Sequence, residues 1–345
     1  MRITEKECSM LAFQHKDTPW VPSPSVGWNI CIPSAVKEGA QGYGYTTDWF
    51  GVRYLYREDQ PGPMPDEEHI FIKDIEQWKD IVKMPDIDAV DWEECVARDT
   101  AMWDRENNMT NVMMINGCFE SLHMFCGFEG ALCNIMTDEE LCSDFMSWIA
   151  DYKVALIERI AKYYKPDMIT FHDDYATGSN LFMPIDKWRR IVRPHLKRCV
   201  DAVKGLGMIY QHHSCGMIRD LIPELLDIGI EALNPMQAQN DPVEMKRLYA
   251  DELTICGGFD NINVLDNADA SPEQIKDSVT KTLHEMAPGG NWIAMCTFLD
   301  RFPEREQIWL DALDEYNRPL YERQGIPFVK HNSPLVRKNI YNIKK

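Results

Sequence analysis

Long apolar runs are missing. No stretch of the 345 residues reaches the ~18 consecutive apolar positions of a membrane span. The opening Met1-Arg2-Ile3-Thr4-Glu5-Lys6-Glu7 has no apolar signal-peptide core behind it, which predicts a cytoplasmic protein with no membrane partner. Positive charge is scarce as well: 36 Lys and Arg stand against 55 Asp and Glu, a formal net charge of -19. Such a surface repels phosphate backbones and anionic lipid, so nucleic acid is excluded as a ligand. Internal repeats, low-complexity tracts and Gly/Ser linkers are absent, which predicts one domain over residues 1–345. No glycine-rich loop follows a first strand in the manner of an S-adenosylmethionine or dinucleotide site. Paired cysteines are lacking too, because the 11 thiols are odd in number and scattered from Cys8 to Cys296. They read as reduced thiols, some of them metal ligands, and not as a disulfide framework.

What is present is ordinary globular chemistry, with 45% hydrophobic and 26% charged residues. From about residue 110, short apolar runs alternate with amphipathic stretches, the pattern of repeated βα units over a parallel sheet. Strands are predicted over 112–115, 167–171, 208–211, 231–234, 253–256 and 292–295. Helix starts are predicted by a capping box at Thr137-Asp138-Glu139-Glu140, and by Asp241-Pro242-Val243-Glu244 and Ser271-Pro272-Glu273-Gln274 with proline at the first helical position. Phe145, Ile149, Tyr152, Leu156 and Ile160 recur at helical spacing as a core stripe, and Pro194 should divide the helix covering 185–206. The proline-broken first ~110 residues are expected to supply two early strands plus loops and a cap. The predicted fold is α/β, a single-domain (β/α)8 TIM barrel with an irregular N-terminal extension.

Active sites of such barrels form just past the carboxyl ends of the strands. The residues there are Asn116 and Glu120; His172, Asp173 and Asp174; His212, His213 and Cys215; Asn234 and Gln237; Asp260; and Cys296. So many strand ends carrying reactive side chains point to an enzyme. His213, Cys215 and Cys296 offer one imidazole and two thiols, a set that suits Zn2+ with a position left open. The same residues also read as a buried cysteine beside a loop histidine. Glu120 is a fourth ligand, a proton donor or a helix cap, and Asp173 and Asp174 are paired carboxylates that act in catalysis or anchor a loop. Asn234, Gln237 and Asp260 are substrate-binding candidates with turn-forming alternatives. His172 and His212 read as structural histidines. Trp20, Trp28, Trp49, Phe119, Phe128 and Phe298 are candidates to line an apolar pocket.

The runs His213-Ser214-Cys215-Gly216, Asn234-Pro235-Met236-Gln237 and Gly257-Gly258-Phe259-Asp260, with Phe119-Glu120, Asp173-Asp174 and Pro288-Gly289-Gly290, resemble the uroporphyrinogen decarboxylase superfamily over most of the chain. That resemblance implies a (β/α)8 barrel of one of two branches: cofactor-free tetrapyrrole decarboxylases, or zinc methyltransferases that exchange methyl groups with a corrinoid protein. The arginine-rich Met-Arg-Gln-Ala-Gly-Arg segment of the decarboxylases is missing, since Arg2, Arg53 and Arg57 are the arginines before residue 60. His-x-Cys followed some eighty residues on by a third cysteine is the methyltransferase pattern, and it implies His213, Cys215 and Cys296 as zinc ligands. The resemblance thus implies Zn2+, a corrinoid (cobalamin) carried by a partner protein, and a small-molecule methyl donor or acceptor. A homo-oligomer stays open. The alternatives are a coenzyme M-type thiol methyltransferase, a cofactor-free decarboxylase, and an inactive barrel that binds without catalysis. An aromatic methyl ether is the expected donor, because the early loops hold Trp20, Trp28, Tyr43, Tyr45 and Trp49 but few cations. A sulfonate would call for a cation such as Arg219 or Arg301.

Overall fold

Side-chain parity along parallel strands decides what lines a barrel and what faces its helices. The computed structural model describes residues 3–57, 60, 62–296, 298 and 303–331. Its main sheet is parallel, in the order β1 (Trp28–Cys31), β5 (Met109–Met114), β6 (Met168–His172), β7 (Ile209–His213), β8 (Ala232–Met236), β9 (Thr254–Gly257) and β10 (Trp292–Ile293). β2 (Gly44–Thr47), β3 (Arg53–Tyr56) and β4 (Met64–Pro65) form a separate antiparallel sheet. The expectation of two early barrel strands is therefore corrected. Among the described residues one early strand, β1, joins the barrel and the other three pair with each other, giving seven parallel strands where eight were expected. The Pro22 carbonyl, just ahead of β1, accepts a bond of 2.9 Å from Ala294 N beyond β10 and draws the two edges together.

Inward positions stack in layers. Trp28, Met109, Met168, Cys256 and Ile293 form one cluster at the floor, into which Ala12 of the helix Glu5–Phe13 packs. Thr254 fixes that plug by donating to the Ala12 carbonyl over 3.0 Å. The next layer is polar. Asn111 donates to Thr170 (2.8 Å), Thr170 to Gln211 (2.9 Å), and Gln211 to the Cys256 sulfur (3.0 Å), so buried polar atoms satisfy one another. Two residues further along each strand the same parity brings His172 and His213 to the mouth, opposite one another in the β6–β7 register.

Helices cover the outside. The long helix Glu139–Tyr163 buries Phe145, Ile149, Tyr152, Leu156 and Ile160, as the stripe predicts, each contributing on the order of 2 kcal/mol. Its start differs from the expected capping box. Thr137 is the last residue of the preceding helix Phe128–Thr137, and its hydroxyl donates to the Cys133 carbonyl (3.1 Å) and to Asp138 Oδ2 (2.5 Å), leaving Asp138 as an N-cap whose side chain makes no capping bond to the helix. The Ser271 box is complete, and Asp241 caps Pro242–Leu248 through Glu244 N. The helix around Pro194 divides into Ile185–Ile191 and Arg193–Gly205. Lys153 of the long helix is buried in an ion pair with Glu38 at 2.6 Å and also donates to the Ile115 carbonyl at 2.8 Å. This pair pins the loop after β1 to the barrel wall. No helix among the described residues is long and apolar enough to cross a membrane.

Candidate active site at the barrel mouth

The carboxylate of Asp173, just past β6, organises the mouth. It accepts from the backbone N–H groups of Phe119 (3.2 Å) and Glu120 (2.8 Å) and from the Tyr175 hydroxyl (2.7 Å). The two N–H groups belong to the first turn of the helix Cys118–Cys126, where unpaired donors meet an anion. Glycine is required at position 117 for this approach, because a Cβ there would overlap the Asp173 side chain. Burial and the Glu120 charge push the Asp173 carboxyl up to about 7.

Glu120 thereby points at His172, whose Nδ1 lies 2.8 Å from its Oε2. Burial alone would raise the Glu120 pKa, but the charge and hydrogen bond of His172 hold it below the usual range. The same burial would lower His172, and the Glu120 charge overcomes it, raising the imidazole to about 9. The His172 ring stacks on His213 with centroids 4.0 Å apart. Burial and the neighbouring His172 charge keep His213 neutral, with a pKa well below the ordinary value. A neutral imidazole is the form that binds a metal. Its Nδ1 and the Asn234 Oδ1 are both buried and in no hydrogen bond of normal geometry, and Asn234 is the polar side chain that acts on this ring.

Cys215 places its sulfur 3.6 Å from His213 Nε2. In a tetrahedral zinc site with bonds of about 2.0 Å to nitrogen and about 2.3 Å to sulfur, the N···S edge is about 3.5 Å, so the pair fits the ion. Burial raises the Cys215 thiol pKa, so deprotonation at neutral pH calls for a cation there. Asp174 accepts from Cys215 N over 2.7 Å and fixes the loop; burial raises its carboxyl to about 6. Gly216 passes against the Ala176 and Thr177 carbonyls, which a Cβ would meet at 2.5 Å. Gln237 Oε1 accepts from Gly216 N at 2.6 Å and supports the same loop. Cys296 follows β10, half-buried, with its sulfur 3.7 Å from Asn261 Nδ2. Ligand atoms of His172, Asp174 and His213 all lie within 4.8 Å of one another, a grouping that neither Cys215 nor Cys296 joins.

The structure thus brings Glu120, Asp173, Asp174, His213 and Cys215 together. Asn234 sits opposite His213 in the β7–β8 register, its Nδ2 3.1 Å from Gln211 Oε1. Asp260 caps the short helix Asn261–Leu265 through Asn263 N at 3.0 Å. The reading of His172 as a structural histidine is corrected: it is a central residue of the mouth. His212, of opposite parity, is the structural one, buried between Tyr175 and Tyr210. Strand parity was the signal available, since His172 stands to Thr170 as His213 stands to Gln211. Two expected pocket aromatics lie at the opposite end of the barrel, Trp28 in the floor and Trp20 stacked on Tyr321. Phe119, Phe128 and Phe182 do cluster beside the mouth, with centroids of 5.8 and 5.0 Å to Phe182. Arg219 faces Asp241 at 3.7 Å on the surface, and Arg301 lies outside the described residues.

A parallel barrel with carboxylates, imidazoles and a thiol converging past its strand ends is the architecture of a barrel enzyme. The chain matches the family described as uroporphyrinogen decarboxylase (URO-D) over residues 47–298 and belongs to it. It is similar in structure to a methyltransferase from Methanosarcina mazei, with a TM-score of 0.68 and 14% identity over 91% of this chain and 99% of that one. No curated protein matches its sequence.

Proposed function

We propose that the protein is a zinc-dependent methyltransferase that moves a methyl group between a small substrate and the cobalt of a corrinoid carried by a partner protein. The observation that carries this reading is the 3.6 Å spacing of His213 Nε2 and Cys215 Sγ at the mouth, a ready edge of a zinc tetrahedron. The fold likeness to a methyltransferase supports it. His213 and Cys215 would hold the ion, with Cys296 as third ligand. When bound, zinc supplies a Lewis acid for the heteroatom that gains charge as its bond to methyl breaks, or that attacks in the reverse direction. Asp174 positions Cys215 through its backbone, Asp173 sets the helix that carries Glu120, and Glu120 fixes the His172 ring against His213.

The favoured small partner is a methyl donor, an aromatic methyl ether, demethylated onto cobalt(I). Its support is narrower than the early tryptophans suggest and rests on Phe119, Phe128 and Phe182 beside the mouth, with Arg219 turned away to Asp241. The test is a panel of methoxyarenes, methylamines, methylated thiols and free thiols, assayed with a cobalt(I) corrinoid protein for the visible spectrum of methylcobalt. Methoxyarene turnover is expected. Thiol turnover with no response to any ether reverses the direction, and activity of the chain without corrinoid, or with S-adenosylmethionine, removes the reading.

A further inference from the structure

His213 belongs to two donor sets. One is the pair with Cys215; the other contains no sulfur. Ligand atoms of His172, Asp174 and His213 lie within 4.8 Å of one another, contributed by the ends of adjacent strands. Each of the first two is held from behind. His172 donates Nδ1–H to Glu120 at 2.8 Å, which turns Nε2 toward the group; a metal binding there displaces the Nε2 proton, in the carboxylate–histidine arrangement that orients metal-binding imidazoles. Asp174 Oδ1 accepts from Cys215 N at 2.7 Å, which leaves Oδ2 to coordinate.

The charge around this group is unbalanced. Glu120 and Asp173 are buried and Asp174 is close by, yet among the described residues His172 is the ion-pair partner of Glu120, and Asp173 and Asp174 are in no ion pair. Buried anions of this kind are balanced by a cation or neutralised. Two imidazoles and one carboxylate converging on an open mouth form the donor set that divalent first-row metals accept at three positions while keeping others for substrate or water.

We propose that His172, Asp174 and His213 form a second cation site at the barrel mouth, built from nitrogen and oxygen donors and taking a divalent transition metal such as Co2+, Fe2+ or Mn2+. It shares His213 with the thiol-containing set, so the two are alternatives for one ion at a time. Soft zinc favours the set with sulfur, and a harder ion favours the set without it. The site stands apart from the zinc reading, because it uses neither Cys215 nor Cys296.

Cobalt(II) distinguishes the two sets by colour. Titration of the metal-free full chain and of Cys215→Ser is followed by visible absorption and by bound metal after gel filtration. Cys215→Ser should bind about one Co2+ per chain, with weak d–d bands and no intense near-ultraviolet sulfur-to-cobalt band. In that background Asp174→Ala and His172→Ala should abolish binding. Glu120→Gln, which keeps the ligands but loses the orienting carboxylate, should weaken it about 10-fold with the spectrum retained. Circular dichroism establishes that each variant is folded. If Cys215→Ser binds no Co2+ while the parent chain does, or if Asp174→Ala leaves binding unchanged, the second site does not exist. Failure of Cys215→Ser alone leaves the zinc reading standing, whereas binding by Cys215→Ser with no sulfur band in the parent removes the zinc reading and keeps this one.

Discussion

His172 Nδ1 and Glu120 Oε2 are joined at 2.8 Å across the gap between β6 and the helix Cys118–Cys126. One buried hydrogen bond thereby decides both the charge of the histidine and the direction of its other ring nitrogen. The raised His172 pKa, about 9, contributes stability that is fully present below the unfolded value near 6.5 and lost as pH rises through 9. The lowered Glu120 pKa contributes above its ordinary 4.5 and is lost as pH falls. Glu120→Gln in the metal-free protein should therefore cost about 3 kcal/mol near pH 6 and clearly less near pH 9.5. Urea unfolding at the two pH values checks this. An equal loss at both would mean that the pair is not ionised.

Zinc content is the direct test of the thiol-containing set. Anaerobically purified protein should carry about one zinc per chain, and Cys215→Ser and Cys296→Ser should lower it while far-ultraviolet circular dichroism stays unchanged. Cys296 is the sharper case. Full zinc retention by its variant would assign the third ligand elsewhere at the mouth.

Lys153 and Glu38, both almost wholly buried, should behave as a unit. Lys153→Met leaves the Glu38 carboxylate unpaired, at a cost of about 3–5 kcal/mol in unfolding free energy. Adding Glu38→Gln should recover most of that loss. A double-mutant cycle by chemical denaturation measures the coupling, and simple additivity would refute it.

Gly117→Ala should be strongly damaging. The new Cβ meets the Asp173 side chain, and relief requires moving the carboxylate off the Glu120 N–H or shifting the helix start. A loss of at least about 2 kcal/mol is expected, together with a changed His172 titration by NMR. An unperturbed His172 resonance would show that Asp173 does not transmit the strain.

Much of this site is legible in the chain because parallel strands advertise themselves. β7 announces its mouth residues through the apolar run ahead of His213 and through the His-x-Cys that follows. β1 is harder to read: in Trp28-Asn29-Ile30-Cys31 a polar Asn29 interrupts the run, and the strand is recognised by its register with β5. β2 is almost wholly exposed, so no apolar alternation marks it. His172 was hidden by an ambiguity of parity at a strand end, which its register opposite His213 resolves. The tryptophans mislead for another reason. Trp20 and Trp28 precede or open β1 and so fall at the floor, with their indole N–H groups on Glu5 and Ser9, and a count of nearby aromatics cannot tell one end of a barrel from the other.

The floor itself has a kinetic consequence. Ala12, Trp28, Met109, Met168 and Ile293 close the lower end, and the polar girdle above them is engaged in hydrogen bonds, so among the described residues His213 and Cys215 are approached from the mouth. On the proposed function, a corrinoid protein seated over that mouth would trap whatever lies inside. The small substrate would then have to arrive first and its product leave last, an obligatory sequence in which saturating the large partner inhibits turnover when the small one is scarce.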